Sequence, residues 1–234
     1  MNGALAIFVK TPGRSAVKSR LAAACGEAHA QQWYRHAAAA VASVALRARA
    51  LHGLVAYWAV AEAGAEAQWP GLPALPQGKG DLGTRMARVH AALVARHGFG
   101  LLVGADAPQL DAQALGEAAA WLGDPDCNAG DDDAPAARLA LGPASDGGFW
   151  LFGANRAIPA DAWTRVPYSD AGTAHALRQS MQAFGAWKEL RELTDVDHVE
   201  DLAVVQQALE ALPDPTDEQR ALAQWMRTSA RACA

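Results

Sequence analysis

Lys10, Arg14, Lys18 and Arg20 place four cations and no acid within eleven residues. This loop, Lys10-Thr11-Pro12-Gly13-Arg14-Ser15-Ala16-Val17-Lys18-Ser19-Arg20, directly follows the apolar run Ala4–Val9. That run has no helical period and reads as a buried strand. A basic loop at a strand's carboxyl end suits phosphate oxygens, because arginine offers a fork of donors and lysine a point charge. A solvated turn is the competing reading, but it rarely gathers proline, glycine and four cations at that place. Asp106 stands just past a second apolar run, 99–103, where Gly104 ends the run and Pro108 delays the next helix. Ligands of open α/β sheets bind outside the carboxyl ends of the strands. An acid there can hold a divalent cation, and the cation a phosphate. It can equally order a turn or cap a helix.

A second acidic pair closes a late strand expected over 187–193. Asp195 and Asp197 are two residues apart, so in extended backbone they face the same way. Asp197 also suits the cap of a helix starting near His198, with Glu200 completing a capping box. The sharper expectation is that Asp197 meets Asp106 across the crevice. Two glycine-bearing turns complete the set. In Gln77-Gly78-Lys79-Gly80-Asp81-Leu82-Gly83-Thr84-Arg85-Met86, glycines let backbone approach a ligand closely, and the following helix aims its amides at an anion. In Gly142-Pro143-Ala144-Ser145-Asp146-Gly147-Gly148, Asp146 is placed to receive a sugar or acceptor hydroxyl. Asp-Gly is also a strong hairpin signal, and both readings are compatible.

The elements that must position these residues follow from periodicity. A long alanine-rich helix is expected over 27–51, with Trp33, Tyr34, Ala37, Val41, Val44 and Leu51 forming a core-facing stripe. Strands are expected over 54–60, 138–141 and 149–152, and an irregular passage around Pro70, Pro73 and Pro76. Helices are expected over 113–122, 173–184, 198–212 and 217–227. Strands alternating with helices predict an α/β class protein, with one mainly parallel sheet covered by helices on both faces. One domain over 1–234 is expected, with a mobile tail after about 228.

The formal net charge of −5 argues against nucleic acid as a partner. No run approaches the roughly 20 apolar residues of a membrane span. Ala4–Val9 is too short for a secretion signal and no basic segment precedes it. A cytoplasmic protein is expected. Cys25, Cys127 and Cys233 form no metal spacing and read as reduced thiols. Asp131-Asp132-Asp133 reads as a solvated acidic loop. Oligomeric state is left open, although Trp163 and Trp225, if exposed, would mark an interface.

Taken together in order, five motifs carry a resemblance. They are Phe8-Val9-Lys10-Thr11-Pro12 with Val17-Lys18-Ser19-Arg20-Leu21, then 77–86, then Gly104-Ala105-Asp106-Ala107-Pro108-Gln109-Leu110, then 141–149, and last Thr194-Asp195-Val196-Asp197-His198-Val199-Glu200-Asp201-Leu202. The chain resembles bacterial transferases of the DUF2064 type from residue 7 to about 202. These are relatives of GT-A glycosyltransferases and of nucleotidyltransferases such as the molybdenum-cofactor guanylyltransferase. The resemblance implies a nucleotide-diphospho-sugar transferase (GT-A) fold. It implies that Lys10, Lys18 and Arg20 contact nucleotide phosphates, that Gln77 and Gly80 lie at the base, and that Gly78 belongs to the nucleotide-binding loop. It matches Asp106 to a metal-holding, nucleotide-contacting acid and Asp197 to the second metal position. The chain departs from the family's pattern at Arg14-Ser15 in the first loop and at His198.

The expected activity is metal-dependent glycosyl transfer from a nucleoside-diphosphate sugar to a small-molecule acceptor. Mg²⁺ or Mn²⁺ on Asp106 and Asp197 would neutralise the leaving diphosphate, helped by Lys18 and Arg20. Asp146 would orient the acceptor or take its proton. The alternative is nucleotidyl transfer from a nucleoside triphosphate to a phosphorylated acceptor, releasing pyrophosphate. A third reading, supported by the altered first loop, is a nucleotide-binding module without turnover.

Overall fold

Ala4–Val9 forms strand β1, in which every residue but Phe8 is buried. Side chains alternate across it. Leu5, Ile7 and Val9 enter one core cluster, whereas Ala4 and Ala6 enter another on the opposite face. A computed structural model describes residues 3–124, 137–168 and 170–229. β1 lies in parallel between β2 (Val55–Val60) and β4 (Gly100–Gly104). Parallel pairing explains why these runs read as continuous apolar stretches: helices cover both of their faces.

The remaining strands are β3 (Ala74–Pro76), β5 (Ala137–Pro143), β6 (Phe149–Ala154) and β7 (Gly185–Glu189). The seven-stranded sheet has the order β3-β2-β1-β4-β6-β5-β7. Among the described strands, only β6 runs antiparallel to its neighbours, joined to β5 by the Asp146-Gly147 hairpin. The sheet therefore directs the loops after β1, β3, β4, β5 and β7 to one edge.

The face under Leu5 and Ile7 packs against α2 (Glu27–His52), α4 (Ala112–Gly123), α7 (Val199–Glu210) and α8 (Asp217–Ser229). The other face packs against α3 (Leu82–His97), α5 (Ala160–Thr164) and α6 (Thr173–Met181). The expected stripe of α2 is buried at Trp33, Ala37, Val41 and Val44, at most 1% exposed, but Leu51, in the last turn before Gly53, is 65% exposed. A short helix α1 (Ser19–Cys25) starts inside the basic loop, where no helix was expected.

Several boundaries move for identifiable reasons. The proline passage contains β3, and Pro76 is tolerated because β3 is an edge strand. The late strand stops at Glu189, because its pairing with β5 ends at Leu141. The helix over 173–184 ends at Met181 and finishes as a 3₁₀ turn, 182–184. Trp163 is fully buried against Phe152, with ring centroids 4.8 Å apart, so it marks core and not an interface. Cys25 is disulfide-bonded, contrary to the reading of free thiols. Cys127, Cys233 and the acidic run 131–133 lie outside the described residues. The tail expected after 228 lies outside them too, beyond Ser229. Among the described residues, no helix is long and apolar enough to cross a membrane.

Candidate functional site

The basic loop is fixed at its start. The Lys10 amide donates to the Tyr34 hydroxyl at 3.1 Å, and the Thr11 amide to Glu62 Oε2 at 2.8 Å. The Trp69 indole donates to Thr11 Oγ1 at 3.0 Å. Seven residues on, Lys18 caps α1 with a left-handed backbone, φ 47° and ψ 52°. This conformation costs a non-glycine residue about 1–2 kcal/mol. It accompanies an inward ammonium: Lys18 Nζ lies 2.6 Å from Asp106 Oδ2 and 2.8 Å from Asp197 Oδ1, with the side chain only 6% exposed. Arg20 Nη1 adds a bond to Asp197 Oδ2 at 3.0 Å.

Asp106 and Asp197 are thus brought together, with a lysine ammonium in the gap between them. Backbone bonds hold the two loops in register. The Val196 amide donates to the Asp106 carbonyl at 3.3 Å, and Gln109 Nε2 to the Thr194 carbonyl at 2.6 Å. Asp197 is free to pair because it does not cap α7. His198 is the N-cap, and the Asp201 carboxylate accepts from the Asp197 and His198 amides at 3.0 and 2.7 Å. The capping box therefore uses Asp201 and not Glu200. Burial alone would raise the Asp197 carboxyl; Lys18 and Arg20 outweigh it and hold it below the usual range.

Asp195 was noted only for facing the same way as Asp197, and the structure gives it more. Burial first, then the charges of Asp106 and Asp146, push its carboxyl up to about 7, against the opposing pull of Lys18. Its Oδ1 is buried with no hydrogen-bond partner. One oxygen each from Asp146, Asp195 and Asp197 lie within 4.8 Å of one another. Carboxylate oxygens alone, with one unsatisfied, make a donor set that fits Mg²⁺ or Mn²⁺.

These groups line one cleft of about 750 Å³ at the carboxyl ends of the parallel strands. Lys10, Lys18, Arg20, Gln77, Asp106, Asp146 and Asp197 all reach it. Gln77 arrives with its amide already engaged. Its Nε2 donates to the Ala59 and Val9 carbonyls at 2.8 and 3.3 Å, and its Oε1 accepts from Arg85 at 2.8 Å. Gly78 and Gly80 are not brought into the lining. Their φ values are +77° and +114°, and a Cβ there would meet the Arg88 and Thr84 side chains. Arg85, Tyr168 and Asp170 line the cleft without having been nominated. No local spacing marks them, since each reaches the cleft through packing of α3 or of the loop before α6.

Asp146 sits in the β5–β6 turn, where its Oδ1 accepts the Gly148 amide at 2.7 Å. This turn is locked to the start of α6, because the Ala174 amide donates to the Gly147 carbonyl at 2.9 Å. A Cβ on Gly147 would lie 1.8 Å from the Ala171 carbonyl oxygen, and its φ is +87°. Gly147→Ala is therefore expected to destabilise the fold by about 2–4 kcal/mol, read as a fall in the thermal midpoint. A midpoint within 1 °C of the parent protein would show that the two loops are not locked.

A search of curated proteins returns no match to the chain. Among solved structures, the chain is similar over its whole length to a protein of Desulfovibrio desulfuricans G20 provisionally named a nucleotide-diphospho-sugar transferase. The identity is 22%, the TM-score 0.79, and 97% of that chain is covered. It is also similar, at 13% identity and a TM-score of 0.53, to CMP:2-keto-3-deoxy-manno-octonic acid synthetase complexed with CTP, over 91% of this chain and 100% of that one. At these identities the likeness shows the fold, which is that of nucleotide-diphospho-sugar transferases. A family described as uncharacterized protein conserved in bacteria, DUF2064, matches residues 37–170. That span covers the Gln77 and Asp106 loops and the Asp146 turn, and leaves the basic loop and Asp197 outside it. The chain belongs to the DUF2064 family.

Proposed function

We propose that this protein is a metal-dependent glycosyltransferase acting on a nucleoside-diphosphate sugar. The observation that carries the reading is the Lys18 ammonium between Asp106 and Asp197 on the floor of the cleft. Cation, anion and cation-binding acids are the parts that transfer from a diphosphate requires. The neighbour named for nucleotide-sugar transfer supports the substrate class, and the neighbour complexed with CTP supports nucleotide binding.

Asp106 and Asp197, with Asp195 and Asp146 beside Asp197, would hold Mg²⁺ or Mn²⁺, which when bound would neutralise charge on the leaving diphosphate. Lys10, Lys18 and Arg20 bind the diphosphate oxygens, with Lys18 turning from the acids toward phosphate. The backbone at Gln77 frames the base side, while its side chain keeps Arg85 in place. Asp146, in the β5–β6 turn beside Asp195 and Asp197, orients the acceptor hydroxyl and takes its proton.

The test is a thermal-shift screen of nucleotides and nucleotide sugars with and without Mn²⁺, followed by phosphorus NMR of products. Stabilisation that needs Mn²⁺ and an intact nucleoside diphosphate product are expected. Pyrophosphate release from a nucleoside triphosphate would replace this reading by nucleotidyl transfer. Nucleotide binding that ignores EDTA and survives Asp106→Ala would reduce the protein to a binding module.

A further inference from the structure

The charged groups lining the cleft sort by the strand that each one follows. In the sheet order β3-β2-β1-β4-β6-β5-β7, everything cationic comes from one side of β4. Lys10, Lys18 and Arg20 follow β1, and Arg85 belongs to α3, which follows β3. Everything acidic comes from β4 or beyond it. Asp106 follows β4, Asp146 lies between β5 and β6, Asp170 precedes α6, and Asp195 and Asp197 follow β7. Among the described lining residues, no lysine or arginine stands on that second side. His198 is its one titratable base, and Tyr168 and Thr173 add neutral hydroxyls.

Internal pairing deepens the asymmetry. Lys18 and Arg20 compensate Asp106 and Asp197. Asp146, Asp170 and Asp195 have no ion-pair partner among the described residues. Asp146 and Asp170 each accept only a neighbouring backbone amide, from Gly148 and Gly172, which fixes their carboxylates without neutralising them. A divalent cation among Asp146, Asp195 and Asp197 carries two positive charges against three carboxylates and still leaves Asp170 uncompensated. Asp146 and Asp170 are exposed, so they act on an incoming anion as a gathered, solvent-screened negative charge.

Resting on the glycosyl-transfer reading, we propose that the acceptor is an uncharged or cationic alcohol, and that this half of the cleft excludes phosphorylated and carboxylated acceptors. The acceptor oxygen bonds to the anomeric carbon of the sugar. The bond from that carbon to the diphosphate oxygen breaks, and its electron pair leaves with the diphosphate. The hydroxyl proton passes to Asp146. A phosphorylated acceptor would have to set its dianion among Asp146, Asp170 and Asp195, whereas the diphosphate lies across β4 among the cations.

Inorganic phosphate is the probe, titrated into the full chain with and without Mn²⁺ and followed by backbone amide shifts. The amides of Lys18, Ser19 and Arg20 are expected to move, while those of Gly147, Gly148 and Thr173 stay still at tenfold higher phosphate. In Asp170→Lys the second group is expected to respond at about tenfold lower phosphate than in the parent, with the response of the first group serving as the control for folding. Movement of the second group first in the parent, or no gain in Asp170→Lys, overturns the proposal. The phosphate map needs no donor, so failure to turn over any nucleotide sugar would sink the glycosyl-transfer reading separately. Where turnover is found, glycerol is expected to exceed glycerol 3-phosphate by at least tenfold in kcat/KM.

Discussion

Lys18→Met slows turnover of the nucleotide-activated donor by about two to three orders of magnitude, the scale seen when one electrostatic donor to a developing anion is removed. The same change tightens Mn²⁺ binding to the free protein by about tenfold, equivalent to about 1.4 kcal/mol. On the proposed reading the two effects have opposite signs, because Lys18 would do two jobs. Its ammonium stands 2.6 and 2.8 Å from the carboxylates a cation would use, so it competes with the cation until a diphosphate draws it away. Methionine keeps the length of the side chain and removes the charge. Steady-state rates and electron paramagnetic resonance of free Mn²⁺ read the two effects separately. Unchanged Mn²⁺ affinity in the variant would show that the lysine is not in the cation's place. The ammonium itself stays charged throughout the working range. Burial alone would lower it, but Asp106 and Asp197 outweigh burial and hold it above its usual 10.5. A lysine raised in the fold contributes its stability fully below 10.5 and loses it only as pH climbs through the higher folded value, so the ion pairs do not weaken near neutrality.

Asp195→Asn makes the metal-free protein more stable at pH 8 and leaves it unchanged near pH 4. The folded carboxyl titrates at about 7 and the unfolded one at 3.8. A raised acid contributes favourably below 3.8, where it is neutral in both states. That contribution is lost as pH rises through 7, because the fold then carries a buried charge that the unfolded chain would solvate. Discounted for the water that still reaches this half-buried group, the cost is about 2 kcal/mol. For a chain of this size that is about 5 °C in the melting midpoint. Calorimetry in EDTA across pH 4–8 checks it; parallel melting curves for the two proteins would refute it. With Mn²⁺ added the order reverses, since the parent gains a ligand that asparagine replaces poorly. Asp195 is then a residue that costs stability at rest and recovers it on loading, a pattern common where function sets the local electrostatics.

Local pattern made much of the fold legible. The β1 boundaries, the long α2 helix and the β5–β6 hairpin follow from apolar runs, a helical stripe and an Asp-Gly turn. Basic loop and strand-end acid were legible because loops at parallel strand ends must face one crevice. What was not legible depends on distance along the chain. Nothing near Lys18 signals that its partners lie 88 and 179 residues away. Gln77 looked available because its partners, the Val9 and Ala59 carbonyls, come from strands it meets only in the folded sheet. Asp195 looked like a lesser copy of Asp197, and only burial beside Asp106 and Asp146 separates them. The short helix α1 escaped notice because its left-handed lysine cap is a choice the sequence rules disfavour.

The bridge between Lys18 and Asp197 also bears on synthesis at the ribosome. A nascent chain presents its basic loop early and gains the acid that restrains it only when most of the chain has emerged. Translation at about 5–20 residues per second leaves that loop without its late partner for about ten seconds or more. Fragments that stop before β7 carry the basic turn with Asp106 as its one acidic partner from the bridge, and so leave its cations more open to any anion they meet.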